Sequence, residues 1–495
     1  MADASMAGRK GDVSPIEAWK PLAEKALKGA PFETLRTVAA DGLTLEPLYG
    51  AAAPLYAGRP NAGAWQVVCR VDDDAGPAEQ ARTDLENGAS ALSLVFAGAP
   101  AAMGRALSAD TVAALDDALE GVHLDLVPLH VEAGVAARPA LALLAALFQQ
   151  RGAGPAALHA GLDPVGSFAM GGAVADWATR GQTLADTVRG YQALGLPGTA
   201  LRADGRMVHE AGGSAVDELG FALASLAVMV RALAEAGLPP SETLPLASMA
   251  LAADVDQPTT IAKMRAARRT FAHFADACGV ETALQLHATT GSRMLSLGDP
   301  QTNILRLTVA TFAAGVGGAD AVTVLPFDAA GSPFARRVSR NIQTLLLEES
   351  HLGAFADPAA GAGAFEALTD EIAEAAWEAF QAHERAGLLR EIESGSLAAT
   401  LSAAAERRRA ALEAGERALI GVTRHPPPMA ATARPQPPTP PVGAMTSGSG
   451  RPFAELVAAA AGGATLSTLA VNRDGARPIA APPLQPRRDA APFEA

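Results

Sequence analysis

Short runs rich in Val, Leu and Ala alternate along this chain with longer stretches that carry apolar residues at helical spacing. The runs predict strands at residues 91–96, 124–131, 199–203, 246–252, 282–288 and 321–327, most of them bounded by the Gly, Asp, Pro or Ser that usually close strands. The longer stretches predict helices at 214–236, 258–278 and 300–314. Asp299-Pro300, Ser332-Pro333 and Asp357-Pro358 each place a polar cap before proline, which fits the first helical position because its missing N–H has no partner there anyway. Gly315-Val316-Gly317-Gly318 follows a helix and precedes a strand, which reads as a helix C-terminal turn rather than a phosphate cradle. Strand–helix alternation of this length demands a parallel sheet, either a closed TIM-type (β/α)8 barrel or an open doubly wound sheet. Neither G-x-G-x-x-G after the first strand nor a P-loop is present, which favours the barrel.

The flanks of this core read differently. Residues 15–27 place Ile16, Trp19, Leu22, Ala23 and Leu27 near one face of an amphipathic helix, which docks either on a partner or back on the chain's own barrel. Residues 396–419 predict one long charged helix, and its triplet Arg407-Arg408-Arg409 is a solvated face or an interface with an acidic partner. Beyond Gly421, Pro426-Pro427-Pro428 and the proline-rich run 435–441 predict an extended, mobile tail, interrupted by a short helical island at 453–461. The expected plan is an arm over 1–60 that contacts a partner, a barrel with a C-terminal helix over 61–420, and a mostly disordered tail over 421–495.

Composition narrows the function. With 495 residues, of which 49% are hydrophobic and only 4% aromatic, Ala, Leu and Val must fill the core of one large barrel with appendages. A formal net charge of −14 repels a phosphate backbone, so nucleic acid is excluded as a partner. Cys69 and Cys278, the only cysteines, are too few for a disulfide framework or a thiolate metal site. The N-terminus lacks a signal-peptide pattern and no apolar run suits a membrane span, so a soluble, cytoplasmic protein is expected.

Specific motifs begin at His287. The stretch runs His287-Ala-Thr-Thr-Gly-Ser-Arg-Met-Leu-Ser-Leu-Gly-Asp-Pro-Gln-Thr-Asn303, then Phe312-Ala-Ala-Gly-Val-Gly-Gly-Ala-Asp320, Thr323-Val-Leu-Pro-Phe-Asp328 and Ser339-Arg-Asn-Ile-Gln343. With His209-Glu-Ala-Gly212 and Leu45-Glu-Pro-Leu-Tyr49 upstream, this order of motifs resembles the adenosylcobalamin-dependent acyl-CoA mutases, the methylmalonyl-CoA mutase family, over most of the chain. The residues themselves place His287 at the end of a strand, followed by Thr289, Thr290 and Ser292, where barrel active sites are assembled. His287, Thr289 and Ser292 are therefore the substrate-binding candidates, with a structural, hydrogen-bonded histidine as the competing reading of His287. Asn303, Arg306, Asn341 and Gln343 fall on predicted helices and read as packing and interface residues.

The resemblance implies a cofactor, adenosylcobalamin, whose radical rearranges an acyl-CoA skeleton, held through a histidine in Asp-x-His-x-x-Gly. None of the nine histidines lies in that pattern, so this chain alone is not expected to bind cobalamin, its module being lost or cut away. Catalytic barrels of the family carry Gly-Tyr-His-Met-Gln-Glu-Ala-Gly, whereas Gly205-Arg-Met-Val-His-Glu-Ala-Gly212 puts Met207 at the histidine position and His209 two residues on, on the same face if the segment is extended. A thioether cannot donate a hydrogen bond to a thioester oxygen. Anchoring on Trp65 puts Arg70 near the position of the family's tyrosine. The resemblance thus implies a small, non-catalytic chain with no catalytic residue of its own, whose partner is the large catalytic subunit of a heterodimer converting methylmalonyl-CoA and succinyl-CoA. The alternatives are a catalytic barrel whose cobalamin domain is a separate chain, and an acyl-CoA-binding or chaperone-like barrel.

Overall fold

The computed structural model describes residues 15–39, 42–60, 62–72, 76–171, 177–328, 330–428, 450–470 and 481–494. Eight strands, β1 (Gln66–Val71), β2 (Ala91–Val95), β3 (Leu129–Glu132), β4 (Leu158–Leu162), β5 (Gly198–Asp204), β6 (Ala247–Ala253), β7 (Gln285–Thr290) and β8 (Ala321–Thr323), pair in parallel, each with the next. β8 closes the ring on β1 in the register Ala321↔Gln66, so the sheet is a barrel and not an open sheet. The helices outside the strands include α1 (Pro15–Ala26, in the arm), α2 (Ala137–Arg151), the short α3 (Arg206–Glu210), α4 (Ala215–Glu235), α5 (Gln257–Ala277), α6 (Pro300–Val316), α7 (Pro333–Glu348), α8 (Gly363–Ala386), α9 (Ser396–Glu413) and α10 (Phe453–Ala461). Among the described residues no single helix is long and apolar enough to cross a membrane.

Local sequence explains the helix starts. Asp256, Asp299 and Ser332 each accept an N–H from the first turn and are followed by proline within it. Ser214 and Asp217 form a reciprocal capping box on α4. Asp357-Pro358 starts no helix. Its carboxylate instead accepts the N–H of Ala57 and of Gly58 and pairs with Arg265, fastening the arm to the barrel wall, and α8 begins later, at Gly363. The expected strand at 124–131 is split, with a 3-10 turn at Leu124–Leu126 before β3, and β1 and β4 were not predicted at all. The charged helix α9 stops at Glu413.

Two described parts of the tail, 450–470 and 481–494, pack on the body of the chain. Phe453, Leu456, Val457 and Ala460 are buried on one side of α10, which packs on α2. That docking explains why α2, ARPALALLAALFQQR, is buried on every side from Ala137 to Phe148. Arg138 donates to the Arg451 carbonyl and pairs with Asp186, whose carboxylate also accepts the Phe453 N–H. Residues 481–494 dock again farther on, with Leu484 and Ala490 buried. The proline-rich run 435–441 lies outside the described residues, whereas Pro426-Pro427-Pro428 is described and not buried.

The arm behaves in the opposite way. No described side chain of α1 is buried: Trp19 is half-buried and meets Phe32 edge-on at 6.0 Å, and Leu22 is 66% exposed. Leu48, Leu55, Tyr56 and Phe355 are exposed as well.

Candidate functional site

In a closed barrel, alternate residues of each strand face the lumen. His130 on β3 reaches Gln66 on β1, past β2, with Nε2 2.9 Å from Oε1, and this contact fixes which residues point inward. His130, His159 on β4 and His287 on β7 then fill the middle of the lumen. The His130 and His159 rings stack at 4.3 Å between centroids and 21° between planes, and His130 meets His287 at 4.8 Å. Thr199 lies 3.0 Å from His159 Nδ1, and Thr323 2.9 Å from His287 Nε2. Val68, Ala91 and Ala321 form a small apolar cluster, with Ala321 the register partner of His287.

Burial first, and then neighbouring cations, oppose protonation of these rings. His159 is pushed down to about 4 by burial and by Arg202. His130 falls well below the usual range through burial, the other two rings and the nearby arginines, and His287 through burial and Arg206 and Arg202. All three are neutral at pH 7 and gain protons more readily when the chain unfolds.

Above the histidines, at the C-terminal strand ends, lies a charge cluster. Arg206 donates to both oxygens of Glu132 at 3.0 Å, to Asp204 Oδ1 at 2.9 Å and to Thr289 Oγ1 at 3.1 Å. Arg202 Nη1 adds a contact at 2.9 Å to Glu132. Burial alone would raise the Glu132 carboxyl, but Arg202 and Arg206 overcome it and hold the group down to about 2. Arg202 lies next to an irregularity where the β4–β5 register shifts between His159 and Leu162. At that bulge Gly161 has φ +65°, and a Cβ on it would lie 2.4 Å from the Val131 carbonyl oxygen and 3.1 Å from the Arg202 guanidinium.

Of the sequence candidates, His287 and Thr289 share this lumen, while Ser292 stands at the rim, its N–H and hydroxyl bonded to the Glu210 carboxylate. Met207 is buried in α3, and a Cβ on Gly166 would lie 2.6 Å from its Cε, so the thioether packs against that backbone. Beside it, the Asp163 carboxyl is pushed up to about 7 by burial and by Asp204. His209 does not share a face with Met207. The segment is helical, and two residues on a helix are turned by about 200°. His209 points instead between two carboxylates, Asp254 at 3.3 Å and Glu218 at 3.8 Å. Glu218 in turn pairs with Lys263 at 2.5 Å. Arg70 is saturated by Asp72 at 2.9 Å and by the Ala101 and Ala102 carbonyls. Asn303 ties the Ser296 and Phe327 backbone, Gln343 accepts from Trp65 Nε1, and Arg306 donates to the Ile420 carbonyl, all packing roles, while Asn341 is exposed. Sequence reasoning missed His130, Glu132, His159, Arg202 and Arg206. The readable signal was period two: Leu129-His130-Val131-Glu132 and Arg202-Ala203-Asp204 alternate polar with apolar inside strands that a parallel barrel must bury.

A cavity of about 410 Å³ lies at the opposite, N-terminal end, between Trp65, Ser90, Thr344 and His351. The family described as methylmalonyl-CoA mutase matches residues 77–439. The chain belongs to the methylmalonyl-CoA mutase family. It is 40% identical over 448 residues to the methylmalonyl-CoA mutase small subunit of Streptomyces virginiae, covering 83% of this chain and 70% of that one. The probable small subunit of Mycobacterium tuberculosis is 36% identical over 424 residues, covering 80% and 67%. The methylmalonyl-CoA mutase of Cereibacter sphaeroides is 26% identical over 458 residues, covering 83% and 64%.

The four buried histidines described above do not make a cobalamin site. The lumen histidines stack on one another and bond to neighbouring strands, and His209 is clamped between carboxylates, which leaves none of these four facing a corrin. No described cluster of His, Cys, Asp and Glu could hold a metal ion.

Proposed function

We propose that this chain is the non-catalytic subunit of a methylmalonyl-CoA mutase, completing a large partner that carries adenosylcobalamin and interconverts methylmalonyl-CoA and succinyl-CoA. The observation that carries the reading is the lumen. Where a catalytic barrel needs free donors for a thioester, every hydrogen-bonding arm of Arg206 is committed to Glu132, Asp204 or Thr289. Breaking such a buried pair to admit a substrate costs several kcal/mol, about 3–5 by analogy with other buried ion pairs. Met207, at the position the family's catalytic barrels give to histidine, offers no donor in exchange. The stripe on α1, half-buried at Ile16, Trp19 and Ala23 and exposed at Leu22, and the exposed apolar side chains Leu55, Tyr56 and Phe355 support a partner contact on the arm side of the barrel.

Co-expression with a large mutase chain tests this. Stoichiometric co-purification is expected, with turnover only in the complex and no cobalamin absorption retained by the isolated chain after gel filtration. Turnover by this chain when supplied with a short cobalamin-binding protein would instead establish a catalytic barrel with a separate cofactor module.

A further inference from the structure

Residues 481–494 run along the C-terminal rim of the barrel and bond to its loops one after another. The Leu484 N–H donates to the Ala169 carbonyl after β4 at 2.9 Å. The Arg487 N–H donates to the Glu210 carbonyl after β5 at 2.8 Å, and the Asp489 N–H to the Arg293 carbonyl after β7 at 2.9 Å. Two carboxylates add charge. Asp489 lies 3.5 Å from Arg408 of α9. Glu494 accepts from the Leu297 N–H at 2.5 Å, the Gly298 N–H at 3.2 Å and Ser296 Oγ at 2.9 Å, and pairs with Arg488 at 2.6 Å. Burial would raise the Glu494 carboxyl, yet Arg488 and these donors hold it below its usual range.

The loops joined in this way carry the outer layer of the lumen. Arg206 and Met207 share α3 with Glu210, and Arg293 follows directly on the strand of His287 and Thr289. The segment itself has little apolar anchorage: most of its side chains are exposed or half-buried, and it contains no regular structure beyond a short 3-10 turn at Ala491–Phe493. Elements held by a few polar bonds open at lower free energy than the core they cover.

We propose that residues 481–494 are a detachable latch that holds the loops after β4, β5 and β7 shut over the lumen, with Asp489 and Glu494 as its two catches. Opening it bares the Arg206–Glu132–Asp204 cluster to solvent while the eight strands stay paired. The inference does not depend on the subunit role proposed above, because it concerns access to this chain's own lumen.

Hydrogen exchange on the full chain tests it, comparing the parent with Asp489→Asn, Glu494→Gln and the double variant. Loss of charge-assisted bonds at both catches is expected to speed exchange over residues 206–213 and 291–298 on the order of tenfold or more. Exchange in α2 and in the barrel strands, and the melting temperature, should stay at the parent's values. Unchanged protection in both loops overturns the proposal. So does loss of protection that spreads through the strands with earlier melting, which would make the segment part of the core.

Discussion

Replacing Lys263 with Met isolates the energetics of a fully enclosed ion pair in the barrel wall. Lys263 on α5 and Glu218 on α4 are 3% and 0% exposed at their side chains, 2.5 Å apart, beneath β6. Glu218 keeps one further donor, the Ala252 N–H. Without Lys263 its carboxylate is buried with that one hydrogen bond and with His209 3.8 Å away, a situation that costs about 3–5 kcal/mol, and these neighbours place this site near the lower figure. Glu218→Gln alone strands the ammonium at a similar cost. The double variant removes both charges, and Gln still accepts from Ala252. Its remaining deficit is one poorly paired amide, about 1–2 kcal/mol. The singles should therefore sum to roughly 6 kcal/mol while the double loses about 2, a non-additivity of about 4 kcal/mol. Urea unfolding followed by both far-UV circular dichroism and tryptophan fluorescence measures this, with coincident curves required before a free energy is assigned. If Lys263→Met costs under about 1 kcal/mol, or the double variant costs as much as the two singles together, the pair is not a coupled buried unit and the reasoning is wrong.

The neutral lumen histidines bind fewer protons folded than unfolded, so stability should fall as pH drops below about 6.5, with a slope of about 1.4 kcal/mol per pH unit for each proton taken up on unfolding. Asp163, raised to about 7, works with the opposite sign in the same window, and His159→Gln should flatten the net slope by one proton's worth; an unchanged slope in pH-dependent urea titrations refutes the assignment. Trp19→Ser with Leu22→Ser should leave the melting of the isolated chain nearly unchanged, because α1 buries none of its described side chains, while weakening assembly with a large mutase chain at least tenfold in analytical ultracentrifugation. Earlier melting with intact assembly would make the arm an internal brace.

The parts of the fold that could be read from sequence are those where pattern and environment agree. β5 and β6 stand within a residue or two of the expected 199–203 and 246–252 because their apolar runs end at Gly198 and near Asp254. β1 and β4 were hidden by Gln66, Arg70, His159 and Gly161, which interrupt the apolar run because they face a polar lumen. β8 is shorter than the expected 321–327, ending at Thr323 ahead of Pro326. His287 and Thr289 could be placed at a strand end from the sequence, but their partners His130, Glu132 and Arg206 come from distant strands that only closure brings together. Proline content hid the docking of the tail, although Phe453, Leu456, Val457 and Ala460 form a helical stripe and the all-apolar α2 called for a cover.

That cover has a consequence for how the chain is made. Arg138, at the start of α2, meets the carbonyl of Arg451, 313 residues later in the sequence. Ribosomes add about 5–20 residues per second, so synthesis of the intervening 313 residues takes roughly 15–60 s, during which the outer side of α2 has no lid. An Ala- and Leu-lined helix left bare for that long is a natural client for a chaperone holdase. Stop mutations ahead of Phe453 should therefore yield a barrel that completes all eight strands yet aggregates during biogenesis.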